Sequence, residues 1–154
     1  MKHSKILFVC MANVCRSPMA EWILKELVRH RNGEFEGHRI DVGSAGIAAI
    51  NGSDASDQAL MIMRERKVDM SRHRARRINQ EIVDWADLIF CMTGEQVASL
   101  KSDFPEMQTK LHLLTEYCGT SGDIADPSGK PTRAFEECAR ELDILMGSVL
   151  EKIK

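Results

Sequence analysis

The segment from Lys5 to Pro18 places an apolar run directly before a short polar loop and a proline. Residues 6–9 are Ile-Leu-Phe-Val, a run typical of a buried strand, and the run ends at Cys10. Pro18 suits the first turn of a helix, because its missing N–H would have no intrahelical partner there. The segment therefore predicts a strand, a tight loop and a helix. This arrangement turns backbone N–H groups toward an anion at the helix N-terminus.

Cys10 and Arg16 frame this loop. A thiolate is the reactive form of cysteine, and helix N-termini and arginine side chains stabilise it. Arg16 can bind two oxygens of a phosphoryl group with its planar guanidinium, Ser17 can donate a hydrogen bond to a thiolate, and Asn13 tolerates tight-turn backbone geometry. A buried Cys that merely ends a strand is the alternative. The position between a predicted strand and a predicted helix favours a nucleophile aimed at a phosphoryl group.

The stretch from Val9 to Glu21 (Val-Cys-Met-Ala-Asn-Val-Cys-Arg-Ser-Pro-Met-Ala-Glu) resembles the phosphate loop of the low-molecular-weight protein tyrosine phosphatase family. That family includes bacterial protein-arginine phosphatases and thioredoxin-linked arsenate reductases. The resemblance spans essentially the whole chain and implies that Cys10 and Arg16 are catalytic. It implies a phosphate-binding loop of Met11, Ala12, Asn13, Val14, Cys15, Arg16 and Ser17. One departure is Ala12, where the family usually has Gly, and a Cβ there is expected to strain the loop.

The resemblance also implies a general acid, because the family carries Asp-Pro between its fourth strand and last helix and Asp126-Pro127 matches. The leaving oxygen or nitrogen must gain a proton as its bond to phosphorus breaks, and a carboxylic acid can supply it. An Asx turn is the alternative role for Asp126, and Asp123 is a second candidate acid that could instead brace the loop. Ser44 and His73 match supporting residues of the family that hold the phosphate loop.

The alternation of apolar β-rich runs with helical patterns predicts an α/β fold, a single-domain four-stranded parallel sheet with helices on both faces, over residues 1–154. Thr93 followed three residues later by Gln96 indicates a capping box at a helix start. We predict strands at 6–9, 38–44, 86–92 and 110–114, and helices at 18–31, 53–67, 78–83, 93–101 and 131–153.

Composition limits the partners and the compartment. No run of about 18 apolar residues predicts a membrane-spanning helix, and residues 6–9 are too short for a signal peptide. Five cysteines lack a disulfide-framework spacing, so we expect a cytoplasmic protein that does not bind a membrane. The net charge of −2, and the absence of aromatic residues within the basic stretch 72–77, give no reason to expect nucleic acid. No metal-ligand spacing is present, and no cofactor is predicted.

The expected partner is a phosphorylated protein or peptide, with inorganic phosphate as product. Phosphotyrosine is the first substrate, because apolar Val14 resembles the tyrosine branch, whereas a Thr marks the arginine-specific branch. Phosphoarginine is the alternative, because the stretches 44–52 and 114–127 resemble the arginine-phosphatase branch. The usual rings are also missing: Ser128-Gly129 follows Asp126-Pro127, and residues 46–56 contain no aromatic residue, which leaves Tyr117 as the one candidate ring. Cys15 either traps an oxidised Cys10 as a disulfide or is an inert thiol.

Two further functions remain open at this point. A thiol-linked arsenate reductase needs resolving cysteines in a mobile mid-chain segment, and Cys91, Cys118 and Cys138 are poorly placed for that role. A weakly active protein that binds phospho-ligands is the non-enzyme alternative, motivated by Ala12 and by the missing rings.

Overall fold

The protein contains one sheet of five strands. The computed structural model describes residues 2–153. The strands are β1 (Lys2–Cys10), β2 (Glu34–Phe35), β3 (His38–Gly46), β4 (Leu88–Cys91) and β5 (Leu111–Leu113). Their order across the sheet is β2-β3-β1-β4-β5, so β1 is the central strand. β1 runs parallel to β3 and β4, and β4 runs parallel to β5. The predicted α/β architecture is therefore confirmed.

The predicted count of four strands is wrong by one short strand. The four parallel strands are present, and β2 adds two residues that pair antiparallel with the start of β3. The connecting residues Glu36 and Gly37 both have positive φ, at 49° and 78°, as two-residue hairpin turns require. A two-residue strand has no periodicity to read in the sequence, which is why the prediction omitted it.

Helices cover both faces of the sheet, as predicted. They are α1 (Arg16–Arg29), α2 (Asp57–Glu65), α3 (Gln80–Trp85), α4 (Gly94–Asp103), α5 (Leu114–Tyr117) and α6 (Thr132–Ile153), with a 3₁₀ turn at Pro105–Lys110. Ile6 and Phe8 of β1 pack in a core with residues of α1, α2 and α6. Leu7 and Val9 pack in a second core with residues of α3 and α4. This two-sided burial accounts for the continuous apolar run of β1.

The helix starts follow local capping chemistry. α4 begins after Thr93 with the predicted capping box, in which Thr93 and Gln96 bond to each other's backbone N–H. α1 begins at Arg16, two residues earlier than predicted, so Pro18 lies within its first turn. α2 begins after Ser56, whose side chain accepts from Ala59 N–H, and not at residue 53. No helix within residues 2–153 is both long and apolar enough to cross a bilayer.

Candidate active site

Cys10 and Arg16 lie at opposite ends of the loop that joins β1 to α1. Cys10 is the last residue of the central strand and Arg16 is the first residue of the helix, so the loop lies at the carboxyl edge of the parallel sheet. Ligands of open α/β sheets bind at this edge. Both residues are buried, with 3% and 5% of their surface exposed. The structure thus has the strand, loop and helix that the sequence predicts.

The Cys10 thiol contacts the first turn of α1 through Ser17. The Cys10 Sγ and Ser17 Oγ atoms are 2.9 Å apart. The Ser17 hydroxyl oxygen also accepts a hydrogen bond from Asn13 Nδ2 at 2.8 Å. Because that oxygen already accepts from Asn13, its own hydrogen can be donated to the sulfur. Ser17 is therefore placed to stabilise a negative charge on Cys10.

Asn13 holds the loop in its turn. Its φ is 59°, in the left-handed region that Asn tolerates better than most residues. Its Nδ2 donates to Ser44 Oγ at 2.9 Å, its Oδ1 accepts from Arg76 N–H at 3.0 Å, and its carbonyl oxygen lies 2.8 Å from His73 Nε2. The structure therefore brings Ser44 and His73 against the loop, at the positions that the family resemblance implies.

A buried carboxylate links these supporting residues. Glu21 Oε1 accepts from Ser44 Oγ, and Glu21 Oε2 accepts from Lys25 Nζ, both at 2.5 Å. His73 Nδ1 lies 4.0 Å from Glu21 Oε1. The sequence shows Glu21 only as part of the resemblance, and no local pattern assigns it this role. The carboxylate completes a continuous polar network that runs from Cys10 through Ser17, Asn13 and Ser44.

Arg16 joins the phosphate loop to the loop that carries the predicted acid. Its Nη1 donates to the carbonyl oxygen of Ile124 at 2.9 Å, and its Nη2 lies 3.6 Å from Asp126 Oδ2. The guanidinium is 6% exposed, whereas the Asp126 side chain is half exposed. Arg16 and Asp126 therefore lie side by side, although they are more than a hundred residues apart in the chain, and Cys10 lies at the other end of the same phosphate loop.

Two opposing effects act on the pKa of the Asp126 carboxyl. Partial burial by itself raises the pKa of the carboxyl. The hydrogen bonds from Ser128 and the positive charges of Arg16 and Lys130 outweigh burial, so the pKa of Asp126 lies below its usual value. The Ser128 N–H donates to Asp126 Oδ1 at 3.0 Å. The carboxyl is therefore ionised at neutral pH.

Asp123, the second candidate acid, has a different contact. Its Oδ1 accepts from the N–H of Gly94 at 2.9 Å, at the N-terminus of α4. A carboxylate there satisfies a helix N–H that has no intrahelical partner and interacts favourably with the helix dipole. This contact braces the acid loop against α4, which is the alternative role that the sequence left open for Asp123.

A cleft of about 410 Å³ lies beside these groups. Its lining contains the apolar side chains of Met11, Ile47 and Ile124 and three carboxylates. In full, the lining residues are Met11, Arg16, Ile47, Thr93, Glu95, Gln96, Ser99, Asp123, Ile124, Ala125 and Asp126. No aromatic ring is among them in the described part of the chain. Tyr117 packs instead against Phe90 and His112, with centroid distances of 4.7 and 5.0 Å, and does not line the cleft.

Ala12 does not have the backbone geometry that requires glycine. The residue with positive φ in this loop is Asn13, and Ala12 lies outside the left-handed region. The expectation that a Cβ at residue 12 strains the loop is therefore wrong. The close approach is at Gly46 instead, where an added Cβ would lie 2.7 Å from the carbonyl oxygen of Met11. The sequence suggested Gly46 only as the third residue of Ser44-Ala-Gly.

We expect Ala12→Gly to change kcat/KM by no more than about twofold, well under 1 kcal/mol of transition-state stabilisation. It should also lower the free energy of unfolding by about 0.5 kcal/mol, because glycine adds freedom to the unfolded chain. Steady-state kinetics and denaturant unfolding measure the two effects. Gly46→Ala is the contrasting variant and should lose activity, since its Cβ meets the loop backbone. A large gain in kcat for Ala12→Gly would restore the strain interpretation.

The other cysteines are poor nucleophiles in this fold. Burial raises the pKa of the Cys15 thiol, although Ser128 and Ser56, whose hydroxyl oxygens each lie 3.4 Å from its sulfur, oppose that effect. Burial raises the pKa of both Cys91 and Cys138 to about 12. Within residues 2–153, no group of His, Cys, Asp or Glu side chains is arranged to hold a metal ion.

Comparison with known proteins agrees with this geometry. The family model described as "Low molecular weight phosphotyrosine protein phosphatase" matches residues 5–154. The protein-arginine-phosphatase of Geobacillus stearothermophilus is 36% identical over 97% of this chain and 96% of its own length.

Two solved structures share the fold. The low molecular weight protein tyrosine phosphatase from T. tengcongensis is 35% identical with a TM-score of 0.90, covering 97% of this chain and 99% of that one. A mutant of YwlE arginine phosphatase with a phosphorylated active site serine is 28% identical with a TM-score of 0.89, covering 97% and 95%.

Proposed function

This chain belongs to the low molecular weight phosphotyrosine protein phosphatase family, and we propose that it dephosphorylates proteins through a phosphocysteine on Cys10. The observation that carries this proposal is the position of three groups around the phosphate loop, two of which, Arg16 and Asp126, line the cleft. The Cys10 thiol lies at the start of the phosphate loop, the Arg16 guanidinium at its end, and the Asp126 carboxylate 3.6 Å from that guanidinium. The phosphorylated active site serine of the YwlE mutant supports a covalent phosphoenzyme.

In the first step, the Cys10 thiolate attacks phosphorus in line with the leaving group. The S–P bond forms as the P–O or P–N bond breaks, and Asp126 gives its proton to the leaving atom. The loop N–H groups and the Arg16 guanidinium stabilise the charge on the phosphoryl oxygens. A bound phosphomonoester adds negative charge near Asp126, which opposes the effect of Arg16 and favours the protonated acid.

In the second step, water attacks the phosphocysteine and gives its proton to the Asp126 carboxylate. The S–P bond breaks, inorganic phosphate leaves, and the sulfur regains its negative charge. Ser17 donates to that sulfur, which makes Cys10 a better leaving group. A free thiolate nucleophile requires a reducing compartment, so we place this enzyme in the cytoplasm.

We expect Asp126→Asn to lower kcat/KM by about 10² to 10³-fold on phenyl phosphate, whose leaving group needs a proton. The loss of kcat/KM on p-nitrophenyl phosphate should be much smaller, because its leaving group departs as an anion. The measurement is kcat/KM for both esters across the pH range, because this ratio reports the phosphorylation step and not the later hydrolysis of the phosphocysteine. Asp123→Asn is the matched control, and it should affect both esters alike through the loss of its bond to Gly94. An equal loss on both esters for Asp126→Asn, or a leaving-group effect for Asp123→Asn, would contradict the assignment.

Phosphotyrosine is the first proposed substrate. Met11, Ile47 and Ile124 give the cleft apolar surface for an aryl group, and a methionine sulfur contacts aromatic rings favourably. Phosphoarginine is the second candidate, because Glu95 and Asp123 place carboxylates in the same cleft. The relative from Geobacillus stearothermophilus also carries the name protein-arginine-phosphatase.

A direct comparison of kcat/KM on phosphotyrosine and phosphoarginine peptides of one sequence separates these two substrates. We expect the phosphotyrosine peptide to be preferred, and Val14→Thr to shift the ratio toward phosphoarginine by about tenfold, the effect of one good hydrogen bond. Val14 is half-buried against the main core, so the isosteric change should preserve the fold. A wild-type preference for phosphoarginine would replace the first substrate by the second.

The two remaining alternatives have less support. Arsenate reduction needs resolving thiols, but burial raises the pKa of Cys118 and raises the pKa of both Cys91 and Cys138 to about 12, which disfavours the thiolate at all three. Poor turnover by a phospho-ligand-binding protein was motivated partly by strain at Ala12, and Ala12 has no left-handed backbone.

A further inference from the structure

A second cavity, of about 320 Å³, is lined by Ser44, His73 and Arg76, which contact Asn13 of the phosphate loop. We call it the basic cavity, because Lys25 of α1 and Arg72, Arg74 and Arg76 line it. It shares no lining residue with the catalytic cleft. The arginines belong to the stretch 72–77, which the proposed reaction does not use directly.

The charges of the basic cavity are only partly neutralised. Lys25 is paired with Glu21 at 2.5 Å, and Arg74 is paired with Asp54 at 3.2 Å. Neither Arg72 nor Arg76 forms an ion pair with any residue in the 2–153 range. Arg76 uses its Nε to donate to the carbonyl oxygen of Ser44, which leaves its terminal nitrogens without a carboxylate. Arg72 interacts electrostatically with Asp69, whose pKa it helps to lower. Four cationic side chains therefore lie close to three carboxylates, those of Glu21, Asp54 and Asp69, which leaves the cavity with an excess of positive charge.

Trp22, which also lines the basic cavity, has a buried indole N–H without a hydrogen-bond acceptor. Its nitrogen is the one side-chain nitrogen or oxygen of the described residues in that condition. A buried donor left unpaired costs free energy, so native structures seldom keep one. The Trp22 nitrogen is itself buried, so the positive charge of the lining side chains is what the cavity offers an anion.

We propose that the basic cavity is a second anion site, which binds an oligophosphate separately from the catalytic cleft. Planar guanidinium groups match phosphate oxygens in geometry and charge. A volume of about 320 Å³ equals that of roughly ten water molecules in the liquid, at about 30 Å³ each, which is ample for two linked phosphoryl groups. An inorganic diphosphate and a nucleoside diphosphate share this chemistry.

The same segment connects the basic cavity with the phosphate loop. Arg76 donates its backbone N–H to Asn13 Oδ1 at 3.0 Å, and His73 Nε2 lies 2.8 Å from the carbonyl oxygen of Asn13. An anion bound by Arg72 and Arg76 holds this segment in the position that clamps Asn13. Occupancy therefore stabilises the loop geometry on which Cys10 depends, whatever substrate the enzyme uses.

The test is a calorimetric titration of the full-length protein with pyrophosphate, with the catalytic cleft filled by excess phenylphosphonate. We expect one remaining site per chain. Arg72→Glu should weaken pyrophosphate binding at least tenfold. Arg77→Glu is the matched control, because it makes the same charge change in the same stretch at a residue that does not line the cavity. It should alter the affinity by less than twofold.

A second arm of the titration identifies the source of the phosphate. Pyrophosphate binding alone supports an inorganic oligophosphate, and equal or tighter ADP binding supports a nucleotide. The Arg72 side chain forms no hydrogen bond or ion pair with the described residues, so Arg72→Glu should fold and should retain kcat on p-nitrophenyl phosphate. Absence of binding when the cleft is filled would overturn the second site. Equal weakening by Arg72→Glu and Arg77→Glu would overturn it too, by showing only general charge attraction.

Discussion

Cys10→Ser should lower kcat by about 10⁴-fold or more, the loss typical of removing a catalytic nucleophile. A serine hydroxyl is rarely ionised at neutral pH, so the variant lacks the anion that attacks phosphorus. Cys10 is 3% exposed and its sulfur contacts Ser17, and serine is small enough to occupy the same place. We therefore expect a change in the free energy of unfolding of less than about 2 kcal/mol.

The measurement is single-turnover hydrolysis of p-nitrophenyl phosphate, with phosphate binding by calorimetry as the control for an intact loop. Cys15→Ser is the matched variant, since it makes the same atomic change in the same loop. The Cys15 sulfur points to Ser56 and Ser128, so this variant should retain most of the activity. Comparable activity in Cys10→Ser and wild type would remove Cys10 from the mechanism.

Arg16→Lys should lower kcat by about 10² to 10³-fold, even though it preserves the positive charge. A lysine ammonium cannot donate two parallel hydrogen bonds to the phosphoryl oxygens. It also cannot donate to Ile124 and remain close to Asp126, as the two terminal nitrogens of Arg16 do. The loss of activity should therefore appear in kcat, and the loop that carries Ile124 and Asp126 should be less firmly bound to residue 16.

Arg76→Lys is the comparison for this variant, because Arg76 bonds to Asn13 and Ser44 and contacts no reacting group. Its loss should be smaller and should appear in thermal stability as much as in kcat. Near wild-type kcat for Arg16→Lys would mean that charge alone suffices and that the bidentate geometry has no catalytic role.

The sequence predicted those parts of the site that local chemistry determines. A strand that ends at Cys10, a loop and a helix near Pro18 follow from residues that are neighbours in the chain. The capping box of Thr93 and Gln96 is local in the same sense. These features need no knowledge of how distant segments meet, so pattern and capping chemistry were enough to predict them.

The contacts that tie the site together join distant segments. Arg76 bonds to Asn13 and Ser44, and Arg16 bonds to Ile124. Asp126 lies beside Arg16 because backbone contacts of Ile124 with Met92 and Arg16 hold the acid loop in place. The family resemblance supplied Asp126, Ser44 and His73, but it gave no reason to choose Arg76.

The error at Ala12 has the same origin. The family's usual glycine suggested a left-handed backbone at residue 12, whereas the chain places that conformation at Asn13, with a φ of 59°. The short strand β2 was missed because two residues contain no pattern. Backbone dihedrals and two-residue pairings emerge from the folded chain, and neither is encoded by residue type alone.

The most direct test of the proposed reaction is to identify the phosphorylated residue during turnover. Asp126→Asn should accumulate the intermediate on p-nitrophenyl phosphate, because attack by Cys10 remains fast while water loses its general base. After a rapid acid quench, mass spectrometry should find one added phosphoryl group on the peptide that contains Cys10. The added mass should be absent in the double variant that also carries Cys10→Ala, which has no side-chain nucleophile at this position. A phosphoryl group on any other residue, or steady turnover without a phosphorylated enzyme, would contradict the phosphocysteine mechanism.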